Sequence, residues 1–243
     1  MGGARQRGRA GTAAAVIIYG RNAVHEALRG PRTVKEVWAT RGAAREAWLA
    51  GTRLHDASAD WIEQRCGSDG HQGVCADVSE FVYANPGELL RASESPFLIA
   101  LDQIQDPQNL GSICRTAECA GADGLILPER RAAEVTPAVC KASAGAVEHL
   151  PIAHVRNLAD FLVEAKSKDL WCYGAAGEAR MDYRSVDFAG GLVLVLGSEG
   201  RGLRPRVAKA CDALIALPLR GQIDSLSVSA AAAVLLYAAA DTR

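Results

Sequence analysis

Apolar runs and polar turns follow one another in a regular order through the C-terminal third of the chain. Residues 192–196 form a continuous apolar run that breaks at Gly197-Ser198-Glu199-Gly200. Residues 213–217 form a second run, closed by Pro218, and the polar stretch 220–227 then leads into an alanine- and leucine-rich helical segment. Strand, glycine turn, strand, polar turn, helix is the order in which a chain builds a nucleotide-sized pocket from backbone. Upstream, the runs 97–101, 124–127 and 170–173 have the length of buried strands. Helices are expected at about 110–120, with Asn109 or Ser112 as cap and Gly121 as terminator, and at 136–143 and 158–166. This βαβα rhythm with apolar strands predicts a parallel sheet covered on both faces, with ligands at the carboxyl ends of the strands. Three polar loops leave those ends: 106–115, 197–201 and 217–229. Arg115 follows Asn109 by six residues, and both are expected to face the same strand end.

The first hundred residues have shorter, more mixed elements. The pattern predicts a strand at 16–19 closed by Gly20, a helix at 23–28 capped by Asn22, a strand at 34–39 and a helix at 43–49. A helix at 58–65 should turn Trp61 and Ile62 inward, and a polar turn at 67–73 precedes a closing strand. His71 in that turn reads as a loop histidine open to solvent or to a substrate backbone. The fold class is therefore α/β: a small α/β unit over 16–84, a polar, proline-marked linker over 85–96, and a parallel-sheet domain over 97–243. Residues 1–15, with Arg5, Arg7 and Arg9, read as a frayed basic tail.

Composition narrows the choice of partners. Apolar residues make up 49% and charged residues 23%, and the net charge is −1, so any nucleic-acid contact must come from a local patch rather than a global field. Arg201, Arg204, Arg206 and Lys209, with Arg220, Arg130 and Arg131, could form one. The seven cysteines include no CxxC pair and no metal-ligand spacing, which suits reduced cytoplasmic thiols and no metal. No apolar run reaches membrane-spanning length. Neither GxGxxG nor GxxxxGK[ST] is present, which disfavours a dinucleotide-dependent oxidoreductase.

The three loops resemble the signature motifs of the SpoU-type 2′-O-ribose RNA methyltransferases, a branch of the SPOUT superfamily. The first motif is similar over Asp106-Pro107-Gln108-Asn109-Leu110-Gly111-Ser112-Ile113-Cys114-Arg115-Thr116-Ala117, the second over Leu196-Gly197-Ser198-Glu199-Gly200-Arg201-Gly202-Leu203. The third is similar over Leu217-Pro218 and Asp224-Ser225-Leu226-Ser227-Val228-Ser229. Tyr19-Gly20-Arg21-Asn22-Ala23-Val24 and His71-Gln72-Gly73-Val74 resemble the substrate-binding domain of members that methylate a guanosine of large-subunit ribosomal RNA. The family pattern has Asn where this chain has Ser227.

The resemblance implies a deep trefoil knot, S-adenosylmethionine bound within it, a homodimer packed close to the cofactor, and ribosomal RNA as substrate. Gly197, Leu217 and Leu226 would give main-chain contacts to the cofactor, beside Gly200, with Leu196 and Ile215 as walls. Arg115 would stabilise the ribose alkoxide and the RNA phosphate, because deprotonating a guanidinium is so costly. Asn109, Ser225 and Ser227 would orient the ribose and its loop. Glu199 would anchor Arg115 or a motif loop, or serve as a helix N-terminal acid. Arg201, Arg204, Arg220 and His71 would touch RNA. The same chemistry on transfer RNA, or a knotted RNA-binding protein with weak catalysis, are the alternatives.

Overall fold

The computed structural model describes residues 15–223 and 225–243; the basic N-terminal segment before Ala15, and Asp224 of the third motif, lie outside them. A small sheet comes first. Strand β1 (Val16–Tyr19), helix α1 (Arg21–Arg29), β2 (Val34–Ala39), β3 (Leu54–Asp56), α2 (Ala59–Cys66) and β4 (Val74–Val78) form it, in the strand order β1-β4-β2-β3. Period-two alternation puts Val37, Ala39, Val74, Ala76 and Val78 on one buried face, against Val24 and Ala27 of α1.

Several local expectations change here. Helix α1 begins directly after Gly20, whose φ of 93° turns the chain, and has no side-chain cap. Asn22 lies inside its first turn; the free Arg21 N–H donates instead to the Gln72 amide oxygen at 3.1 Å. The helix expected at 43–49 is two 3-10 turns, Ala43–Arg45 and Ala47–Leu49, split by extended Glu46, whose carboxylate pairs with Arg21 at 2.7 Å. In α2, Ile62 is buried as expected but Trp61 is 39% exposed. His71 is buried rather than open: a 3-10 turn folds its ring back, and Nδ1 accepts from the Gly73 N–H at 2.9 Å. His71 is thus held within the turn rather than presented as an open loop side chain.

The 85–96 stretch is not a plain tether. Asn85 caps helix α3 (Pro86–Leu89), and Leu89 and Leu90 are buried with the large-sheet residues Leu98, Ile126 and Ala153.

The large sheet contains β5 (Phe97–Asp102), β6 (Gly124–Pro128), β7 (Ile152–Val155), β8 (Trp171–Ala175), β9 (Met181–Asp182), β10 (Leu192–Gly197) and β11 (Ala213–Ala216). Its order is β7-β6-β5-β10-β8-β11-β9, and every pairing is parallel. Helices α4 (Pro107–Cys119), α5 (Pro137–Ala142), α6 (Leu158–Lys166), α7 (Pro205–Ala210) and α8 (Val228–Ala240) cover its two faces. Strands β5, β6 and β10 are almost wholly buried, which is why they read as unbroken apolar runs. The cap of α4 is Asp106, whose carboxylate accepts from the Gln108 N–H at 3.0 Å, rather than Asn109 or Ser112.

The small sheet and the large one share a single core, in which Ile18 and Val37 join Val139, Val147 and Leu110. At their junction the buried Arg32 donates from Nη1 to Glu148 at 3.0 Å and from Nε and Nη2 to the Ser79 carbonyl at 3.0 and 2.7 Å. Burial raises the Glu148 carboxyl above its ordinary value despite the Arg32 charge. His149 and Glu26 meet across the same junction at 2.8 Å.

Candidate active site

The carboxyl ends of β8, β10 and β11 open into a cavity of about 500 Å³, within the range of cofactor pockets. Apolar walls come from Leu196 at the end of β10, Ile215 at the end of β11, and Leu217 and Leu226 in the loop before α8. Gly197, Glu199, Gly200, Arg201 and Ser225 complete the set of expected residues on its lining. Gly197 sits where nothing larger fits: a Cβ there would stand 2.2 Å from the Gly202 carbonyl carbon. The turn closes on itself there, with the Gly202 N–H donating to the Ser198 carbonyl at 2.9 Å. Backbone is thus presented to the cavity at close range, as an adenosyl-sized ligand with few charges requires.

One side chain joins the three motifs. Oε1 of Glu199 accepts from Asn109 Nδ2 at 3.3 Å and from the Val228 N–H, the first of α8, at 3.1 Å. Glu199 is therefore a clamp between the first-motif helix and the N-terminus of the last helix, where a negative charge is favoured by the dipole. It makes no contact with Arg115. Six helical residues turn through roughly 600°, so Arg115 points about 120° away from Asn109 and lies about 9 Å further along α4. The expectation that both face one strand end fails for this reason, since Asn109 itself lies within the helix. Arg115 is exposed, outside the cavity lining, with no hydrogen bond or ion pair among the described residues.

Ser227 caps α8, its Oγ accepting from the Ala230 N–H at 3.2 Å. Asparagine and serine are both strong capping residues, so the departure from the family pattern keeps this local function. The Arg204 side chain, 43% exposed, is tied down on one side. Asp102, fully buried at the end of β5, accepts from the Arg204 N–H at 2.8 Å and from its Nε at 2.7 Å, tying the chain after the glycine turn to the sheet. Arg206 likewise pairs with Asp160 at 2.6 Å. The expected basic patch keeps exposed Arg201 and Arg220 near the cavity and Lys209 on α7, which have no such partners among the described residues, with Arg130 and Arg131 exposed after β6.

Residues 175–178, leaving β8, also line the cavity. The sequence reading placed a strand there without following its loop, although the same carboxyl-end rule applies to it. A second, more open cavity of about 540 Å³ shares Gly177, Leu217 and Leu219 with the first and includes Arg180 and Asp182. Hydrogen bonds from Arg184 hold the Asp182 carboxyl down at about 2. Among the described residues no cluster of His, Cys, Asp and Glu is placed to hold a metal ion, and no helix is long and apolar enough to cross a membrane.

A parallel sheet whose carboxyl edge is closed by these three loops, preceded by a separate small sheet, defines the class: the chain belongs to the SpoU rRNA methylase family, which matches residues 96–237. The preceding residues 17–84 match the substrate-binding domain of RNA 2′-O ribose methyltransferases. Among individual relatives, YacO of Bacillus subtilis, assigned to the TrmH family of tRNA/rRNA methyltransferases, is 40% identical over 90% of this chain and 93% of its own. The 23S rRNA (guanosine-2′-O-)-methyltransferase RlmB of Pseudomonas syringae is 39% identical over 93% and 95%. The AdoMet-bound rRNA methyltransferase of Sinorhizobium meliloti superposes with a TM-score of 0.77 at 27% identity, covering 93% of this chain and 86% of that one.

Proposed function

We propose that this protein transfers a methyl group from S-adenosylmethionine to the 2′-hydroxyl of a guanosine ribose in large-subunit ribosomal RNA, as a cytoplasmic homodimer with a knotted C-terminal segment. The observation that carries the reading is the Glu199 clamp, which brings Asn109 and the start of α8 together beside the cavity. The small sheet supplies the rest of the argument, since its match is to a substrate-binding domain. Helix α8 returns from β11 to pack on α4 and β10, a path that supports a knot. Its apolar exposed stripe, Ala230, Val234 and Tyr237, lies on a helix packed against α4, whose exposed Ser112, Arg115 and Cys119 form a second stripe; such faces suit a second copy.

Bound in the cavity, the cofactor supplies an electrophilic methyl on a positively charged sulfur. Leu196, Ile215, Leu217 and Leu226 exclude water from that end, and the bare backbone at Gly197 binds polar edges of the adenosyl group. Asn109 and Ser225 orient the ribose, with Asn109 held in place by Glu199. Loss of the 2′-hydroxyl proton, to solvent or to a phosphate oxygen, puts negative charge on the ribose oxygen, which is consumed as the C–O bond forms and the C–S bond breaks, so a fixed cation beside that oxygen lowers the barrier. Arg115 lies outside the cavity lining of its own chain with its donors unengaged, so it would fill that role toward the oxygen and the adjacent phosphate from the face proposed to meet a second copy, and alignment of sulfur, methyl and oxygen contributes the remainder.

Calorimetry with the cofactor, followed by labelled methyl transfer to purified ribosomal and transfer RNA, tests this. Arg115→Ala should keep cofactor affinity and lose on the order of 10²- to 10³-fold in transfer rate. Label on transfer RNA alone moves the substrate to that class. A wild type that binds cofactor and labels neither RNA ends the enzymatic reading.

A further inference from the structure

The outer face of the small sheet carries an aromatic cluster that the cavity chemistry does not use. Trp38 is flanked in register by Cys75 on β4 and His55 on β3, so the three form a row across the sheet. Because side chains alternate along a strand, this row lies opposite Val37 and Ala39, whose face belongs to the core shared with the large sheet. Helix α2 covers only one end of the row. Cys75 lies under it and is buried, its thiol pushed up to about 12. Trp38 and His55 are only half-buried, Trp38 with α2 side chains reaching over it. Trp61 of α2 leans over Trp38 with ring centroids 5.5 Å apart, and His55 stacks on Trp38 at 5.7 Å. The His55 ring is itself held by Glu36. Arg65, one turn further along α2, lays its guanidinium 4.4 Å from the Trp38 centroid and 5.3 Å from that of Trp61.

Two features set this cluster apart from an internal packing unit. Trp61 is 39% exposed, although a core indole would be covered. Arg65 is exposed and has no ion pair or hydrogen bond among the described residues, so its ring-stacked guanidinium keeps its N–H donors available. An open aromatic face beside a pre-oriented, unpaired guanidinium recognises an unstacked base with its phosphate. A double helix offers the phosphate but no free base face, since its bases are already stacked.

We propose that Trp61, Trp38 and Arg65 form a stacking platform for an unpaired nucleotide of the RNA substrate, on the side of the small sheet away from the large one. This rests on the proposed RNA methyltransferase function, and it locates a contact that holds the substrate remotely from the reacting ribose. The platform acts on binding, so it affects KM rather than the transfer step.

Two measurements test it. In the first, the intrinsic tryptophan fluorescence of the whole protein is titrated with a short mixed-sequence single-stranded RNA and with the corresponding duplex. The platform predicts saturable quenching by the single strand, at least tenfold weaker for the duplex and lost in Trp61→Ala; equal response to both forms, or none, overturns it. In the second, methyl transfer to ribosomal RNA is followed for Trp61→Ala, Trp61→Phe and Arg65→Gln, with thermal melting as the folding check. Trp61→Ala should raise KM on the order of tenfold with kcat and cofactor affinity unchanged. Phenylalanine should restore KM to within about threefold, and Arg65→Gln should raise it less than alanine at 61. An unchanged KM in folded Trp61→Ala identifies the cluster as packing between α2 and the sheet, and the proposal fails. If wild type quenches with single strands but transfers no methyl to any RNA, the platform stands and the methyltransferase reading falls.

Discussion

The junction between the two sheets and the open edge of the cavity handle arginine in opposite ways. At the junction Arg32 is buried and fully engaged, with Glu148 on one side and the Ser79 carbonyl on the other. Arg204 is similar, closed onto the buried Asp102. Near the cavity edge Arg201 and Arg220 are exposed without partners among the described residues, as is Arg115 on α4. A satisfied guanidinium holds architecture; an unsatisfied one is available to the phosphates of a polyanion. Sequence position did not separate the two kinds, because Arg201 and Arg204 lie three residues apart.

The largest effect should come from opening the junction. Arg32→Met leaves the Glu148 carboxylate buried and alone, and should lower stability by about 3–5 kcal/mol in chemical denaturation. Adding Glu148→Leu should recover most of that loss, since an apolar pair of similar volume replaces the ion pair. A single variant within about 1 kcal/mol of wild type would deny the junction its structural role. Next comes the glycine turn at the cavity. Gly197→Ala drives a Cβ into backbone 2.2 Å away, which should cost about 1–3 kcal/mol of stability. Cofactor affinity by calorimetry should fall on the order of tenfold. The smallest change belongs to the third motif. Ser227→Ala removes the α8 cap and should cost about 1 kcal/mol, whereas Ser227→Asn should melt within a few tenths of wild type and keep or raise turnover. A large loss of turnover in Ser227→Asn would mean that serine is specifically required there.

The large sheet was readable from sequence because its central strands are buried on both faces and so carry continuous apolar runs; β10 and helix α6 fall almost where the pattern puts them. The small unit was harder. Its strand Leu54–Asp56 is three residues long and polar, and the chain at Ala43–Leu49 breaks at Glu46, whose side chain pairs with Arg21, 25 positions away. His71 and Trp61 were assigned by residue type and local pattern, yet their surroundings come from turns and packing that no periodicity encodes. Within the cavity, the glycine turn and apolar walls were legible as strand ends. Glu199 was legible as an anchor of a motif loop or an acid at a helix N-terminus, and it is both; its particular partners, Asn109 and Val228, were not, nor was Asp102 holding Arg204, since each contact links residues far apart in the chain.

The most direct test of the central claim is the chemistry of the product. Ribosomal RNA incubated with the wild-type protein and methyl-labelled S-adenosylmethionine is hydrolysed in alkali, which cleaves only where the 2′-hydroxyl is free. The account predicts that the label is retained in one alkali-resistant dinucleotide from large-subunit RNA, with guanosine as the methylated nucleoside. Label released in an ordinary mononucleotide, which would place the methyl on a base, contradicts it.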